Sequence, residues 1–166
     1  MAPQIIQPVI LSLLLGFACS GLAGSDTPSE ADVRRAIATF CDRPLSTEGR
    51  IAPKVILEFA EASDAVLITI GPDYVPWIRT DKRYDNSEPL LAAYVGGNVL
   101  AQLDSGVKGN DAYSGTIQVF RVYRHLRSKD PSFKVPEIED QLELHRKGEL
   151  AVHFAKVAKE SKENKK

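Results

Sequence analysis

The sequence predicts a mainly α-helical fold, a compact single-domain bundle of about six helices. Three observations lead there. Apolar side chains recur at three- and four-residue spacing in successive segments after residue 28. Prolines and cap-competent Ser, Thr, Asn or Asp residues stand where those segments start, and glycines or prolines where several end. Only Val66-Leu67-Ile68-Thr69-Ile70 reads as extended, a short β-branched run that adds one extended segment near residues 65–70.

The chain opens differently. No charged side chain follows Met1 until Asp26, and residues 9–18 read VILSLLLGFA. Small residues come next: Ala18, Cys19, Ser20, Gly21, Ala23 and Gly24. A short apolar core followed by small residues is the layout of an export signal, here without Lys or Arg ahead of the core. At roughly ten residues the core is too short to span a bilayer, which takes about 20. Cleavage after Ser20 and cleavage after Ala23 both fit. Lipidation at Cys19 is the alternative; Ala18 suits it, whereas Phe17 and Gly16 do not. The organisation expected is therefore a cleaved export signal over residues 1–23, a helical domain over 24–158 and a charged, frayed tail over 159–166. The destination is periplasmic or secreted, or lipid-anchored through Cys19.

The elements follow in order. Thr27-Pro28-Ser29-Glu30 predicts a helix start, with Thr27 as cap and Glu30 closing a capping box. Val33, Ile37 and Phe40 lie on its apolar face and Pro44 stops it, leaving residues 45–50 as a loop. Ala52-Pro53 opens a second helix with Val55, Ile56, Phe59 and Ala60 on one side. A hairpin over 55–70 is the competing reading, and a lone strand at 66–70 would need a partner. Residues 71–87 form a loop whose Tyr74, Trp77 and Tyr84 either anchor it to the core or form an aromatic binding surface.

Ser87 caps a third helix with Pro89 in its first turn. Leu91, Tyr94, Val95, Asn98, Val99, Gln102 and Leu103 share one broad face. The Gly96-Gly97 pair inside this helix costs about 1 kcal/mol per glycine against alanine, which points to a neighbour that comes close. Gly106 suits a left-handed cap. Asn110 or Asp111 caps a fourth helix reaching about Ser128, antiparallel to the third because the link is short. Arg121, Arg124, His125, Arg127 and Lys129 crowd its last turns, favouring the helix dipole or, more sharply, an anion site. Pro136 starts a fifth helix that Gly148 ends. The last carries Leu150, Phe154 and Val157.

Composition narrows the function. With 21 basic and 22 acidic side chains the chain lacks the basic excess of a nucleic-acid binder. Once the signal is removed no transmembrane span remains. Cys41 is left without an intramolecular partner and reads as a buried thiol. His125, His145 and His153 have no zinc-site spacing, so no metal and no cofactor is expected. Phosphate-cradling and nucleophile-elbow motifs are absent from the sequence.

One set stands out. Tyr94, Asn98 and Gln102 step by four along the third helix on its apolar side, where buried amides must find partners. They either hold neighbouring backbone, such as the Trp77 loop, or line a small pocket with Tyr113 or Tyr123. The candidate ligand-binding residues are thus Tyr94, Asn98, Gln102, Tyr113 and Trp77.

The leading functional expectation is a non-enzymatic exported module that binds a protein or small molecule, or supports an envelope assembly. A small hydrolase-like enzyme with a scattered site, using His125 or a carboxylate with a Tyr or Cys41, is the second. A redox-sensing Cys41 is the third, and needs an exposed sulfur of lowered pKa. Intact mass of the protein made in its native host tests the first step. The expected product begins at residue 21 or 24; an acylated Cys19 would make it a membrane-tethered module instead.

Overall fold

The computed structural model describes residues 27–78 and 87–163. The export segment, Cys19, Tyr84 and the charged stretch from Arg79 to Asp85 lie outside the described residues. Among the described residues are six α-helices: α1 (Glu30–Asp42), α2 (Thr47–Ala62), α3 (Ser87–Ser105), α4 (Ala112–Lys129), α5 (Pro136–Arg146) and α6 (Leu150–Glu163). A 3₁₀ turn covers Pro76–Ile78. The protein is a mainly α-helical bundle, as its periodicity predicts.

Several boundaries differ from the sequence reading, each for a local reason. The cap of α1 is Ser29, not Thr27: Ser29 Oγ accepts from the Asp32 amide, and the Asp32 carboxylate accepts from the Ser29 amide. Starting there places both Glu30 and Asp32 in the first turn, where the helix dipole favours negative charge. Residues 47–50, expected in a loop, are helical. Ser46 caps α2 by accepting from Gly49 N at 3.0 Å. A Cβ on Gly49 would collide with the Arg43 carbonyl, so glycine lets the α1–α2 turn close tightly. Pro53 consequently lies inside α2 and offers no hydrogen to the Gly49 carbonyl. The helix runs to Ala62, which removes the hairpin alternative for 55–70.

Ser87 is the first residue of α3 rather than its cap, and α6 stays helical through Glu163, past the expected onset of fraying at Lys159. Gly106 and Gly148 take φ of 66° and 75°, ending α3 and α5 as the sequence suggests. Asp111 caps α4 through Ser114 N. Among the described residues no helix is long and apolar enough to cross a membrane.

The third helix is the centre of the molecule. It buries residues from Leu90 to Gln102 on more than one face, beyond the single face expected. Its Gly96 side meets Ile37 of α1 and Ile56 of α2, where an added Cβ would lie 3.3 and 3.6 Å away. Its Gly97 side meets α4 backbone. A Cβ there would strike the Ser114 carbonyl oxygen and come within 2.8 Å of Gly115 Cα. Gly115 returns the contact: its Cβ would sit 2.8 Å from the Tyr94 carbonyl oxygen. Tyr94 lies opposite Gly115, while Asn98 bonds to Asp111, so partner numbers fall as α3 advances and the pair is antiparallel.

At the far end of α4, Tyr123 ties in α5. Its hydroxyl donates to Glu139 Oε1 at 2.7 Å and accepts from Val135 N at 3.2 Å. Arg127 donates to the same Glu139 oxygen at 2.7 Å.

Alanine at Gly97 or Gly115 gains about 1 kcal/mol of helix propensity. It also forces backbone apart, and overpacking costs about 1–3 kcal/mol before any larger rearrangement. The obstruction is main chain that cannot rotate away, so each variant should lose about 2 kcal/mol in urea unfolding. Gly109→Ala, with nothing within 4 Å, is the neutral comparison.

Candidate functional site

The polar stripe of α3 is a clamp for two loops. Gln102 is 3 % exposed and uses its whole amide. Its Oε1 accepts from Leu67 N at 2.8 Å and Gly109 N at 2.9 Å. Its Nε2 donates to Leu67 O at 3.1 Å and Asn98 O at 3.3 Å. Asn98, fully buried, accepts from Asp111 N at 2.7 Å and donates to Tyr94 O at 3.3 Å. Asn110 Oδ1 accepts from Thr69 N at 2.9 Å. The Tyr94 hydroxyl has Thr69 O at 3.3 Å and Asn110 Oδ1 at 3.5 Å.

This settles how Val66 to Ile70 is held. The segment is neither helical nor part of a strand ladder. Gln102 reads the N–H and C=O of Leu67 as a neighbouring strand would, and Asn110 does half of that for Thr69. The amides of α3 therefore grip Leu67 and the 109–111 turn, with Asn110 of that turn holding Thr69, rather than the Trp77 loop considered from sequence.

Beside the clamp lies an open cleft of about 680 Å³. Gln102 and Asn110 are in its wall, Leu67, Val107 and Tyr113 at its margin, and Phe154 opposite on α6. Tyr74 stacks on Phe154 with centroids 6.5 Å apart. Ala155, Ala158 and Ser161 of α6 complete that side, and their small side chains leave the space open. Asp111 is the one charged side chain in this lining, and Ser114 already engages both its oxygens, at 2.8 and 3.0 Å.

Of the five residues singled out from sequence, Gln102 and Tyr113 line the cleft. Tyr94 and Asn98 are buried beneath it, each 0 % exposed. Trp77 is 1 % exposed and outside the cleft wall. With Tyr74 also buried, these two side chains anchor the loop to the core and do not form the alternative aromatic binding surface. Both turn inward with Val75 between them, and their rings supply large buried area. Asn110, Tyr74 and Phe154 belong to the site without any spacing that marks them.

The other ionisable candidates are not among the residues lining the cleft. Cys41 is 4 % exposed, and burial pushes its thiol up to about 11, with the Arg121 charge pulling the other way. That overturns the redox-sensor reading, which needs an exposed thiol of lowered pKa. His145 packs against Phe120 and Tyr113 rings at 5.7 and 6.3 Å, and His153 against Phe154 at 5.2 Å. No group of three or more metal-ligating side chains converges among the described residues.

No family model, curated protein or solved structure matches this chain.

The clamp predicts the outcome of two substitutions. Gln102→Leu keeps the volume but strips partners from Leu67 and Gly109, and should cost about 3 kcal/mol. Asn98→Ala should cost about 2 kcal/mol by unpairing Asp111 N. Chemical denaturation reads both, and unchanged midpoints would exclude the clamp.

Burial also raises the Tyr94 hydroxyl to about 12. Tyr94 and Cys41 both bind their protons more tightly when folded. Their contribution is complete below their unfolded values of 10.0 and 9.0, and is lost as pH rises through about 12 and about 11. Stability should therefore decline from about pH 9 upwards, and Cys41→Ala should remove the lower part of that decline.

Proposed function

We propose that this chain is an exported, non-catalytic helical module whose cleft holds a small, largely uncharged molecule with an apolar body. The observation that carries the reading is the margin of the cleft. Leu67, Val107 and Tyr113 are 55, 67 and 38 % exposed, come from three separate segments, and converge on one concavity. Three partly exposed apolar side chains around one concavity give an apolar ligand surface to pack against. The volume lies within the range of small-ligand pockets, roughly 300–1,000 Å³.

The polar wall supports the same class of ligand. Gln102 has all four of its amide bonds satisfied within the fold, so it shapes the cleft without demanding a charged partner. Asn110 is different. The Thr69 N–H fixes which end of its amide is oxygen, and its nitrogen donates to nothing among the described residues. That nitrogen is suited to a ligand carbonyl or hydroxyl. The apolar segment before Asp26 supports export, with release into the periplasm or medium after cleavage, or tethering through Cys19, as the two destinations.

Nile red, an uncharged fluorophore, provides the test. The parent protein should bind it with micromolar affinity and a blue shift. Ala155→Trp places a large ring in the cleft from an exposed position on α6. It should weaken binding at least about tenfold without lowering the melting temperature. Absence of binding by the parent, or equal binding by the variant, overturns the proposal.

A further inference from the structure

The arginines of the described residues divide by pairing: Arg43, Arg50, Arg121 and Arg124 make no ion pair with a described residue, and the other four do. Arg34, Arg35, Arg127 and Arg146 are each within ion-pair distance of a carboxylate. Arg121 and Arg124 have no ion pair with a described residue, and both line a concave site of about 500 Å³ where the end of α1 meets the side of α4. His125 lines the same site.

The helix dipole does not account for this pair. Its influence fades within the last turn, and the basic side chains of that turn are Arg127 and Lys129. Arg121 and Arg124 lie further back. Nor does local neutralisation account for them. Asp42 is the one carboxylate in the lining, set against two guanidinium groups. The Ser128 hydroxyl donates to the His125 carbonyl at 2.7 Å and is not a free donor. The Cys41 thiol, protonated at neutral pH because burial raises it to about 11, adds no negative charge.

We propose that this concavity binds a phosphate group, with the Arg121 and Arg124 guanidinium groups and the His125 ring as its donors. Paired planar forks are the side chains that match tetrahedral oxyanions, through charge-assisted and often bidentate hydrogen bonds. The site shares no lining residue with the apolar cleft. A soluble phosphate ester and a phospholipid headgroup carry the same chemistry.

Pyrophosphate is the first probe, titrated by calorimetry against sodium chloride at matched ionic strength. The parent protein should bind it and melt at a higher temperature in its presence. Arg121→Gln and Arg124→Gln should each weaken binding roughly tenfold or more, and the double variant should lose the response. Both arginines are exposed, so the double variant should melt like the parent in chloride alone. Arg50→Gln, which alters an exposed arginine outside the site, should keep the response.

Cosedimentation with vesicles of phosphatidylglycerol or of phosphatidylcholine then separates the sources. Binding to the first alone, lost in the double variant, assigns the phosphate to a lipid. Pyrophosphate binding without vesicle binding assigns it to a soluble ester. Failure of the parent to bind either probe, or an equal response from the double variant, overturns the proposal.

Discussion

The backbone at residues 67–69 has no strand beside it, and the fold depends on how its N–H and C=O groups are satisfied. Gln102 presents an oxygen and an N–H₂ at the spacing of a peptide group, and so pairs Leu67 on both sides. The same oxygen also takes Gly109 N, which binds the α3–α4 turn to the extended segment. Asn98 and Asn110 extend the arrangement to Asp111 and Thr69. Side chains of α3, with Asn110 of the following turn, thereby fix two loops that would otherwise carry unpaired backbone into a partly buried place. The cleft is bounded by those loops, so its shape depends on the same bonds.

The clamp in turn requires α3 and α4 to approach closely. Asn98 reaches the start of α4 because Gly97 and Gly115 present backbone to backbone where they cross. Larger residues would widen the gap and carry Asp111 away from the Asn98 oxygen. Gly96, on the opposite side of α3, accommodates Ile37 and Ile56. The adjacent glycines therefore serve two different contacts, one polar and close, the other apolar. The central position of α3 follows from having both.

What could be read from the sequence was local. Gly106 and Gly148 end helices because a left-handed residue is needed there, and Asp111 caps α4 from within its own turn. The α3–α4 hairpin was legible for the same reason: every signal lies within a few residues of the turn. The start of α2 was not, because Pro44 hides the capping role of Ser46 two residues later. The partner of the extended segment was harder still. Gln102 stands 35 residues from Leu67, and a glutamine on an apolar face does not reveal which backbone it will hold. The cleft draws Leu67, Val107, Tyr113 and Phe154 from four stretches of chain, so no window of sequence contains it.

The extended segment carries a hazard that its tethering contains. Residues 66–70 read VLITI, uncharged, free of proline and rich in β-branched side chains. Such a run, once loose, pairs readily with copies of itself and seeds cross-β aggregates. Asp64 before it and Gly71-Pro72 after it are the charge and the strand-breaker that limit how far such pairing could spread. In the folded protein Gln102 occupies one edge of the segment with a side chain, which cannot propagate as another strand would. Its amide is thus a quarantine as well as a fastener: it satisfies the backbone of Leu67 with a partner that has no further edge to offer.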